Sequence, residues 1–223
     1  MSLENLLQRS VWAQGLTDAQ RERVYAETQA RPIAGGGYVC RKGDPSQAWF
    51  GVIEGLVKIT TVSASGKSVT FTGVPAGAWF GEGSLLKREN RKYDVLALRD
   101  SVVAHMPIAT FEWLLDTSIP FNRFLILQLN ERLGQFIAAV EHERLLDTDA
   151  RVARSLSAMF NPYLYPGNDM TVQISQEELS YLAGVSRQRV NLALKVLEQA
   201  GLLKVDYGVL TILDLEGLRE FGM

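Results

Sequence analysis

Basic and amide side chains are concentrated in one short stretch near the end of the chain. The stretch contains no acidic residue, and its polar members are Ser186, Arg187, Gln188, Arg189, Asn191 and Lys195. Guanidinium and carboxamide groups can make paired hydrogen bonds with base edges, and cationic groups neutralise phosphates. These residue types therefore predict contact with nucleic acid.

Two short helices joined by a tight turn are predicted to position these side chains. Ser175 and Glu178 have the spacing of a capping box at the start of the first helix. Gly184 supplies the left-handed residue that ends this helix, Ser186 can cap the second helix, and Gly201 ends it. The second helix has apolar residues at helical spacing on one face, namely Val190, Ala193, Leu194 and Leu197. This pattern is typical of a helix-turn-helix.

A short hairpin is predicted after the second helix. Two β-rich runs, Leu202–Val205 and Val209–Ile212, flank Asp206-Tyr207-Gly208, and Thr171–Ile174 can add a strand before the first helix. The sequence therefore predicts a winged helix.

Similar helix corners also occur in proteins that bind no DNA. A second hypothesis is therefore a ligand-binding regulatory module whose helix-turn-helix docks onto another protein. Docking helices usually expose apolar anchors, whereas the outer face of this helix is polar and basic. The residue types on this face therefore favour DNA binding over docking onto another protein.

Composition restricts the function classes. The 223 residues, of which 47% are hydrophobic, suffice for two ordinary domains. A net charge of −2 means that nucleic-acid binding must come from a local basic face. Cys40 is the only cysteine, which excludes an internal disulfide and an iron–sulfur cluster held by several cysteines of one chain.

Export, membrane insertion and catalysis are not expected. No run approaches the roughly 18 apolar residues of a membrane span, and the first residues lack a basic segment followed by an apolar core. We therefore expect a protein of the reducing cytoplasm. No Ser-His-Asp order, phosphate-binding Gly-Lys loop or His-x-x-x-His pair stands out, so we expect neither an enzyme nor a metal site.

The region from Pro32 to Pro107 is predicted to form β-structure. Short apolar runs there are separated by turn residues such as Ala64-Ser65-Gly66-Lys67, which indicates a β-barrel or a double-stranded roll. The runs are Tyr38–Cys40, Trp49–Ile53, Leu56–Thr60, Ser68–Phe71, Val95–Leu98 and Ser101–Met106. The segment up to Arg31 is predicted to be helical, with a capping box at Thr17 and Gln20.

A long helix is predicted between Leu115 and Leu146. Its apolar residues alternate three- and four-residue steps, at Ile126, Leu129, Leu133, Phe136 and Val140. Such a narrow seam is used by two helices to pair, so we expect a homodimer; packing of the seam onto its own domain is the alternative. Because Asp147 can cap a further helix, we divide the chain into a sensor (1–120), a pairing helix (121–146) and a winged helix (147–223).

Five motifs occur together in order along the chain. They are Lys42-Gly43-Asp44-Pro45, Gly51-Val52-Ile53-Glu54-Gly55-Leu56-Val57-Lys58, Gly77-Ala78-Trp79-Phe80-Gly81-Glu82, Ile174-Ser175-Gln176-Glu177-Glu178-Leu179 and Gly184-Val185-Ser186-Arg187. With them the chain resembles, over essentially its whole length, the bacterial transcription regulators of the cAMP receptor protein and fumarate–nitrate regulator (Crp/Fnr) family. The resemblance implies an α+β fold with a cyclic-nucleotide-binding-like β-roll, a long dimerisation helix and a C-terminal winged helix-turn-helix.

The resemblance also implies a homodimer that reads a near-palindromic double-stranded DNA site. The position of Arg187 commonly contacts guanine in the family, whereas Gln188 and Leu192 replace the glutamate and the basic residue of cAMP-responsive members. We therefore expect a half-site that differs from theirs. Ser175 and Gln176 match positions suited to phosphate contact, and Arg189 and Lys195 are further candidates. RNA polymerase would be contacted through surface loops such as residues 161–170.

The sensor region departs from the cyclic-nucleotide binders of the family. Gly81 and Glu82 match the pair that opens their ribose-binding cassette. By ungapped count, however, Lys92 and Tyr93 occupy the phosphate-gripping pair, and the adenine-reading positions fall on Phe136 and Ile137. A lysine lacks the planar fork with which an arginine binds a phosphate, and two apolar side chains cannot form hydrogen bonds with adenine.

We therefore expect that cAMP is not the effector. The alternatives are another small molecule, haem-mediated gas sensing, or no effector. His105 and His142 are the only imidazoles, and they are favoured as structural or surface residues rather than haem ligands. Redox sensing by Cys40 would need an exposed, low-pKa thiolate.

Overall fold

The computed structural model describes residues 2–63, 68–145, 147–166 and 170–222, without the side chains of residues 142–145. The turn expected at Ala64–Lys67, the side chain of His142 and the Gly167–Asp169 part of the expected surface loop lie outside this description.

The helices and strands follow the order of a roll, a long helix and a winged helix. The helices are α1 (Leu3–Arg9), α2 (Val11–Gln14), α3 (Asp18–Glu27), α4 (Glu82–Leu86), α5 (Ile108–Thr117), α6 (Ile119–Leu145), α7 (Thr148–Ala158), α8 (Gln176–Ala183), α9 (Arg187–Gln199) and α10 (Leu215–Glu220). The strands are β1 (Gln29–Ile33), β2 (Tyr38–Cys40), β3 (Ala48–Glu54), β4 (Leu56–Val62), β5 (Ser68–Pro75), β6 (Trp79–Phe80), β7 (Asp94–Ala97), β8 (Ser101–Pro107), β9 (Thr171–Gln173), β10 (Leu203–Asp206) and β11 (Val209–Ile212).

The chain forms two compact units, each described by itself. The first comprises Met1–Arg132 with Tyr163–Gly167, and the second comprises Leu133–Pro162 with Asn168–Met223. The three-part division at residues 120/121 and 146/147 stays a prediction. Among the described helices, none is long and apolar enough to cross a membrane.

Two four-stranded antiparallel sheets build the roll of the first unit. Their strand orders are β1-β8-β3-β6 and β2-β7-β4-β5. Strand β3 is buried on both faces: Phe50 and Val52 belong to the cluster inside the roll, whereas Trp49 and Ile53 pack with the surrounding helices. Burial on both faces explains why this strand is a continuous apolar run.

Aromatic rings form the core between the helices and the roll. Trp12 lies edge-on to Trp79 with ring centroids 5.1 Å apart, and Trp49 lies 4.5 Å from Trp79. Phe111 of α5 and Phe121 of α6 complete the group, with ring centroids 5.5 Å apart. The indole Nε1 of Trp79 donates to Ser10 Oγ at 2.8 Å, so its buried polar atom is satisfied.

The strands predicted for the roll are present. The predicted end of the N-terminal helical segment and the predicted surface loop around Tyr165 were wrong. The N-terminal helical segment does not continue to Arg31, because α3 ends at Glu27 and Gln29–Ile33 pairs with β8. The expected long helix is present as α6, which begins at Ile119; residues 115–117 belong to α5, because the chain is extended at Ser118. The loop around Tyr165 was expected to lie on the surface. This prediction was wrong, because Leu164 and Tyr165 are only 1% and 2% exposed.

The second unit is a winged helix. Helices α7, α8 and α9 share a buried apolar core that includes Val152, Leu179 and Val190. The strands form an antiparallel sheet of order β10-β11-β9, in which Leu203 pairs with Ile212 and Leu210 pairs with Val172. The predicted hairpin and the strand before the first helix are confirmed.

The turn between α8 and α9 forms through the predicted caps. Ser175 Oγ accepts the amide of Glu178 at 3.1 Å, and the Glu178 carboxylate accepts the amide of Ser175 at 2.7 Å. Gly184 is left-handed at φ 65°, and Ser186 Oγ accepts the amide of Arg189 at 3.3 Å. Short-range hydrogen bonds therefore define where each helix begins and ends.

Candidate nucleic-acid interface and sensor interior

The outer face of α9 presents the residues selected from the sequence. Ser186, Arg187, Gln188, Arg189 and Lys195 are exposed, and Asn191 is half-buried. Within the described part of the chain, neither Arg187 nor Gln188 has a side-chain hydrogen bond or ion pair. Both side chains are therefore free to bind a partner outside this chain.

Other candidates on this face are already engaged. Gln176 Nε2 of α8 donates to Asn191 Oδ1 of α9 at 3.2 Å. This hydrogen bond orients the side-chain amide of Asn191. Arg189 Nη2 lies 3.7 Å from Asp149 Oδ1 of α7, with about half of the arginine side chain exposed. A pair this long and exposed is weak and competes poorly with a phosphate.

Two arginines of α7 hold the winged helix together. Arg151 Nη2 donates to the carbonyl of Ala183 at 3.0 Å, next to the turn, and Arg154 Nη1 donates to the carbonyl of Leu218 at 2.6 Å. The sequence predicts this helix but not the two contacts, because the carbonyls that the arginines bind are 32 and 64 residues away in the chain.

In the roll, Glu82 is enclosed by its own chain. Its carboxylate is 2% exposed and accepts from Arg132 Nε of α6 at 2.7 Å and from Trp49 Nε1 at 3.4 Å. Arg132 Nη2 also donates to the carbonyl of Trp79 at 2.7 Å. The carboxylate predicted to hold a ligand is therefore part of a buried ion pair.

The pKa of the Glu82 carboxyl reflects two opposing effects. Burial alone would raise this pKa, because a charged group loses its water. The positive charge of Arg132 and the hydrogen bonds around the carboxylate outweigh burial, so the pKa lies below its ordinary value. Glu82 is therefore ionised at neutral pH.

Arg91, and not its neighbour Lys92, is the buried basic group beside Gly81; a role for Lys92 in an effector pocket stays a prediction. Lys92 Nζ lies 3.1 Å from Glu89 Oε2, and its side chain is 62% exposed. Arg91 is 2% exposed, stacks over the Phe50 ring and donates to the carbonyls of Gly81 and Ala48. The two residues lie just before β7, where local spacing alone does not show which of two adjacent basic side chains is buried.

The remaining pocket candidates fall into two groups. The carbonyl of Gly81 accepts a hydrogen bond from Arg91. Tyr93 packs against the apolar cluster inside the roll, where burial raises the pKa of its phenol to about 12. Phe136 and Ile137 lie on α6 within the second unit and are 55% and 63% exposed. Their role in an effector pocket stays a prediction.

The histidine and cysteine of the roll are held in uncharged forms. Burial lowers the pKa of His105 to about 4, and its ring stands edge-on to Phe50 at 4.9 Å. Burial raises the pKa of the Cys40 thiol to about 11, whereas the thiolate is the reactive form. Among the described residues, no three His, Cys, Asp or Glu side chains are grouped to hold a metal ion.

Comparison with known proteins matches both units. Residues 30–118 match the cyclic nucleotide-binding domain, and residues 150–221 match the Crp-like helix-turn-helix domain. The chain is 27% identical over 195 residues to the cAMP-activated global transcriptional regulator Vfr of Pseudomonas aeruginosa, covering 82% of this chain and 89% of Vfr.

A second relative and a solved structure agree. Transcriptional regulator SdrP of Thermus thermophilus is 26% identical over 180 residues, covering 80% of this chain and 85% of SdrP. The structure of FixK2 from Bradyrhizobium japonicum matches with a TM-score of 0.73 at 14% identity, covering 88% of this chain and 98% of that chain. This last likeness concerns the fold alone.

The Glu82–Arg132 ion pair generates a prediction. Glu82→Gln leaves the Arg132 guanidinium buried without a counter-charge, so we expect the first unit to lose about 3–5 kcal/mol of unfolding free energy. Denaturation followed by tryptophan emission measures this loss, since all four tryptophans lie in that unit. The double variant Glu82→Gln/Arg132→Met should be less destabilised than Glu82→Gln alone.

The same pair predicts a pH dependence. Because the pKa of Glu82 is lowered by folding, its stabilisation is complete above the unfolded pKa and is lost as pH falls through the folded pKa. The stability difference between wild type and Glu82→Gln should shrink over that acidic range. A difference that stayed constant across it would contradict this assignment.

Proposed function

Because the chain belongs to the Crp/Fnr family of bacterial transcription regulators, we propose that two copies of it bind a near-palindromic DNA site. Each copy would place α9 in the major groove, with the two α9 helices about 34–36 Å apart. The role is one of binding and regulation rather than catalysis. The supporting observation is the free polar face of α9, where Arg187 and Gln188 project from a helix start that Ser186 caps.

Arg187 and Gln188 are the proposed base readers. A guanidinium can donate two hydrogen bonds to guanine O6 and N7, and a glutamine amide can donate to and accept from adenine. Leu192 of the same helix is 50% exposed and can only make apolar contact, for example with a thymine methyl group. These residues favour a half-site different from that of relatives that have an acidic side chain at the position of Gln188 and a basic side chain at the position of Leu192.

Phosphate contacts would supply the remaining affinity. Ser175 and Gln176 lie at the start of α8, and the N-terminal end of a helix favours an anion such as a phosphate. Lys195 is exposed on α9, and Arg189 is exposed enough to exchange Asp149 for a phosphate. Such contacts fix the orientation of the protein and make its affinity depend on salt.

The apolar stripe of α6 supports dimer formation. The predicted seam residues Ile126, Leu133, Phe136 and Val140 are between 49% and 67% exposed on the single chain, and Leu129 is 38% exposed. A contiguous apolar stripe of this kind marks a protein interaction surface. Its three- and four-residue spacing suits the same stripe on a second copy.

We propose that cAMP does not control this protein, although relatives such as Vfr are named as cAMP-activated. The carboxylate of Glu82 is occupied by Arg132, and both terminal nitrogens of Arg91 donate to backbone carbonyls. A nucleotide would have to break these buried contacts before it could use either residue. A different small molecule remains the proposed kind of effector.

Contact with RNA polymerase is proposed through the loop around residues 161–170. Of its described residues, Tyr163 is 55% exposed and Met170 is 44% exposed. The alternative role, regulation through protein contact at the helix-turn-helix, would need apolar anchors on α9. Leu192 and Val196 are exposed there, but basic and amide groups dominate the start of the helix.

Replacing Arg187 tests the base-reader assignment. We expect Arg187→Ala to weaken binding to the best genomic site by about 1–3 kcal/mol, because a bidentate contact to guanine is lost. Fluorescence anisotropy with labelled fragments measures this. Arg219→Ala removes a basic residue paired with Glu216 on α10 and should bind as wild type does. Equal affinity of Arg187→Ala and wild type would exclude Arg187 as a reader.

Charges on the α6 stripe test the dimer. Ile126→Glu/Leu133→Glu should yield monomers in analytical ultracentrifugation, because apposed carboxylates cannot be buried together. The control is Leu127→Glu, since Leu127 is also exposed but lies about 100° around the helix from Ile126. If wild type is monomeric, or if Leu127→Glu dissociates the dimer equally, the seam is wrongly assigned.

Calorimetric titration tests the cAMP assignment. We expect no saturable heat from cAMP at concentrations up to the millimolar range, because Glu82 and Arg91 are engaged within the chain. Vfr, which is named as a cAMP-activated regulator, serves as the positive control. Saturation at low micromolar cAMP would contradict the proposal.

A further inference from the structure

The segment Tyr163–Pro166, called the strap below, lies between α7 and β9 in the chain but belongs to the first compact unit. Leu164 and Tyr165 are 1% and 2% exposed and pack in the cluster that fills the roll. That cluster includes Val57 of β4, Val74 of β5 and Phe80 of β6. Two large side chains from outside the sensor sequence therefore complete its core.

Specific contacts hold the strap. Tyr165 Oη donates to the carbonyl of Gly73 at 3.3 Å, which is long for such a bond. A Cβ at Gly77 would lie 2.9 Å from the carbonyl oxygen of Pro166. Gly77 is also left-handed, at φ 91°, so a glycine is needed there for the turn and for the approach of the strap.

The strap lies on the side of the roll where the candidate effector residues are. Leu164 and Pro166 line one small cavity with Trp79, whose carbonyl accepts from Arg132. The same Arg132 holds Glu82. The strap therefore lies against Trp79 and Phe80, which directly precede Gly81 and Glu82 in the chain.

Both ends of the strap continue directly into the winged helix. Phe160 precedes it and Val172 follows it, and each is buried within the second unit. Release of Leu164 and Tyr165 would therefore free a segment that is covalently joined to α7 on one side and to β9 on the other.

We propose that the strap is an autoinhibitory device. While Leu164 and Tyr165 are buried in the roll, the winged helix is restrained; a small molecule that enters beside Glu82 competes with them, releases the strap and raises affinity for DNA. The vacated space is apolar and ends at the Gly73 carbonyl, so it suits an apolar ligand with one hydrogen-bond donor. This inference rests on the proposed DNA-binding function.

Strap variants test the device without an identified effector. Leu164→Ala/Tyr165→Ala should bind the best genomic fragment about tenfold more tightly than wild type, within the range of about 5–150-fold typical of allosteric coupling. Tyr165→Phe removes only the bond to Gly73 and should shift affinity in the same direction by less. Tyr25→Ala, which truncates an exposed tyrosine of the same unit, should leave affinity unchanged.

Folding is checked on the same samples. Denaturation followed by tryptophan emission should stay cooperative, because Trp12, Trp49 and Trp79 are buried in the core and report on the first unit. Affinity equal to or weaker than wild type in Tyr165→Phe, or in a double variant that unfolds cooperatively, would overturn the inference.

Hydrogen exchange separates this inference from the proposed function. Amides of the strap and of Gly73–Gly77 should be protected in wild type and exchange faster in the double variant. A strap that is unprotected in wild type would overturn the device whatever the DNA result. If the strap is protected but neither wild type nor any variant binds genomic DNA, the proposed function fails.

Discussion

The buried ion pair between Glu82 and Arg132 is the constraint on which the sensor unit depends. It joins α4 to α6, and the same guanidinium also binds the carbonyl of Trp79 in β6. Neither charge can be left alone in this interior, because an unpaired buried ion is strongly destabilising. The long helix is therefore fixed at Arg132, and the aromatic core around Trp49 and Trp79 is completed against it.

This arrangement changes what the sensor can recognise. Residues that match a ligand-binding cassette are present, but their polar atoms are satisfied within the chain, through Arg132 for Glu82 and through backbone carbonyls for Arg91. A ligand would need to replace these contacts or use the apolar space that Leu164 and Tyr165 fill. Sharing a family with cAMP-activated regulators therefore does not by itself imply the same effector.

The DNA-binding unit follows the opposite principle. Its core and its helix ends are satisfied by contacts within the unit, such as that of Arg151 with the carbonyl of Ala183. The start of α9 is left exposed, with Arg187 and Gln188 free among the described residues. A rigid support with an unsatisfied polar face is what sequence-specific recognition requires, since orientation must be set before base contacts can discriminate.

The sequence by itself determined the features that rest on short-range chemistry. The caps at Ser175 and Ser186, the left-handed Gly184, the β-runs of the roll and the wing hairpin depend on residues within a few positions of each other. Only the tertiary structure decided that Arg91 rather than Lys92 faces inward, that Gln29–Ile33 is a strand, and that Tyr165 is buried. Each of these depends on partners far away in the chain, such as β8 for β1 and Gly73 for Tyr165, whose positions local spacing does not encode.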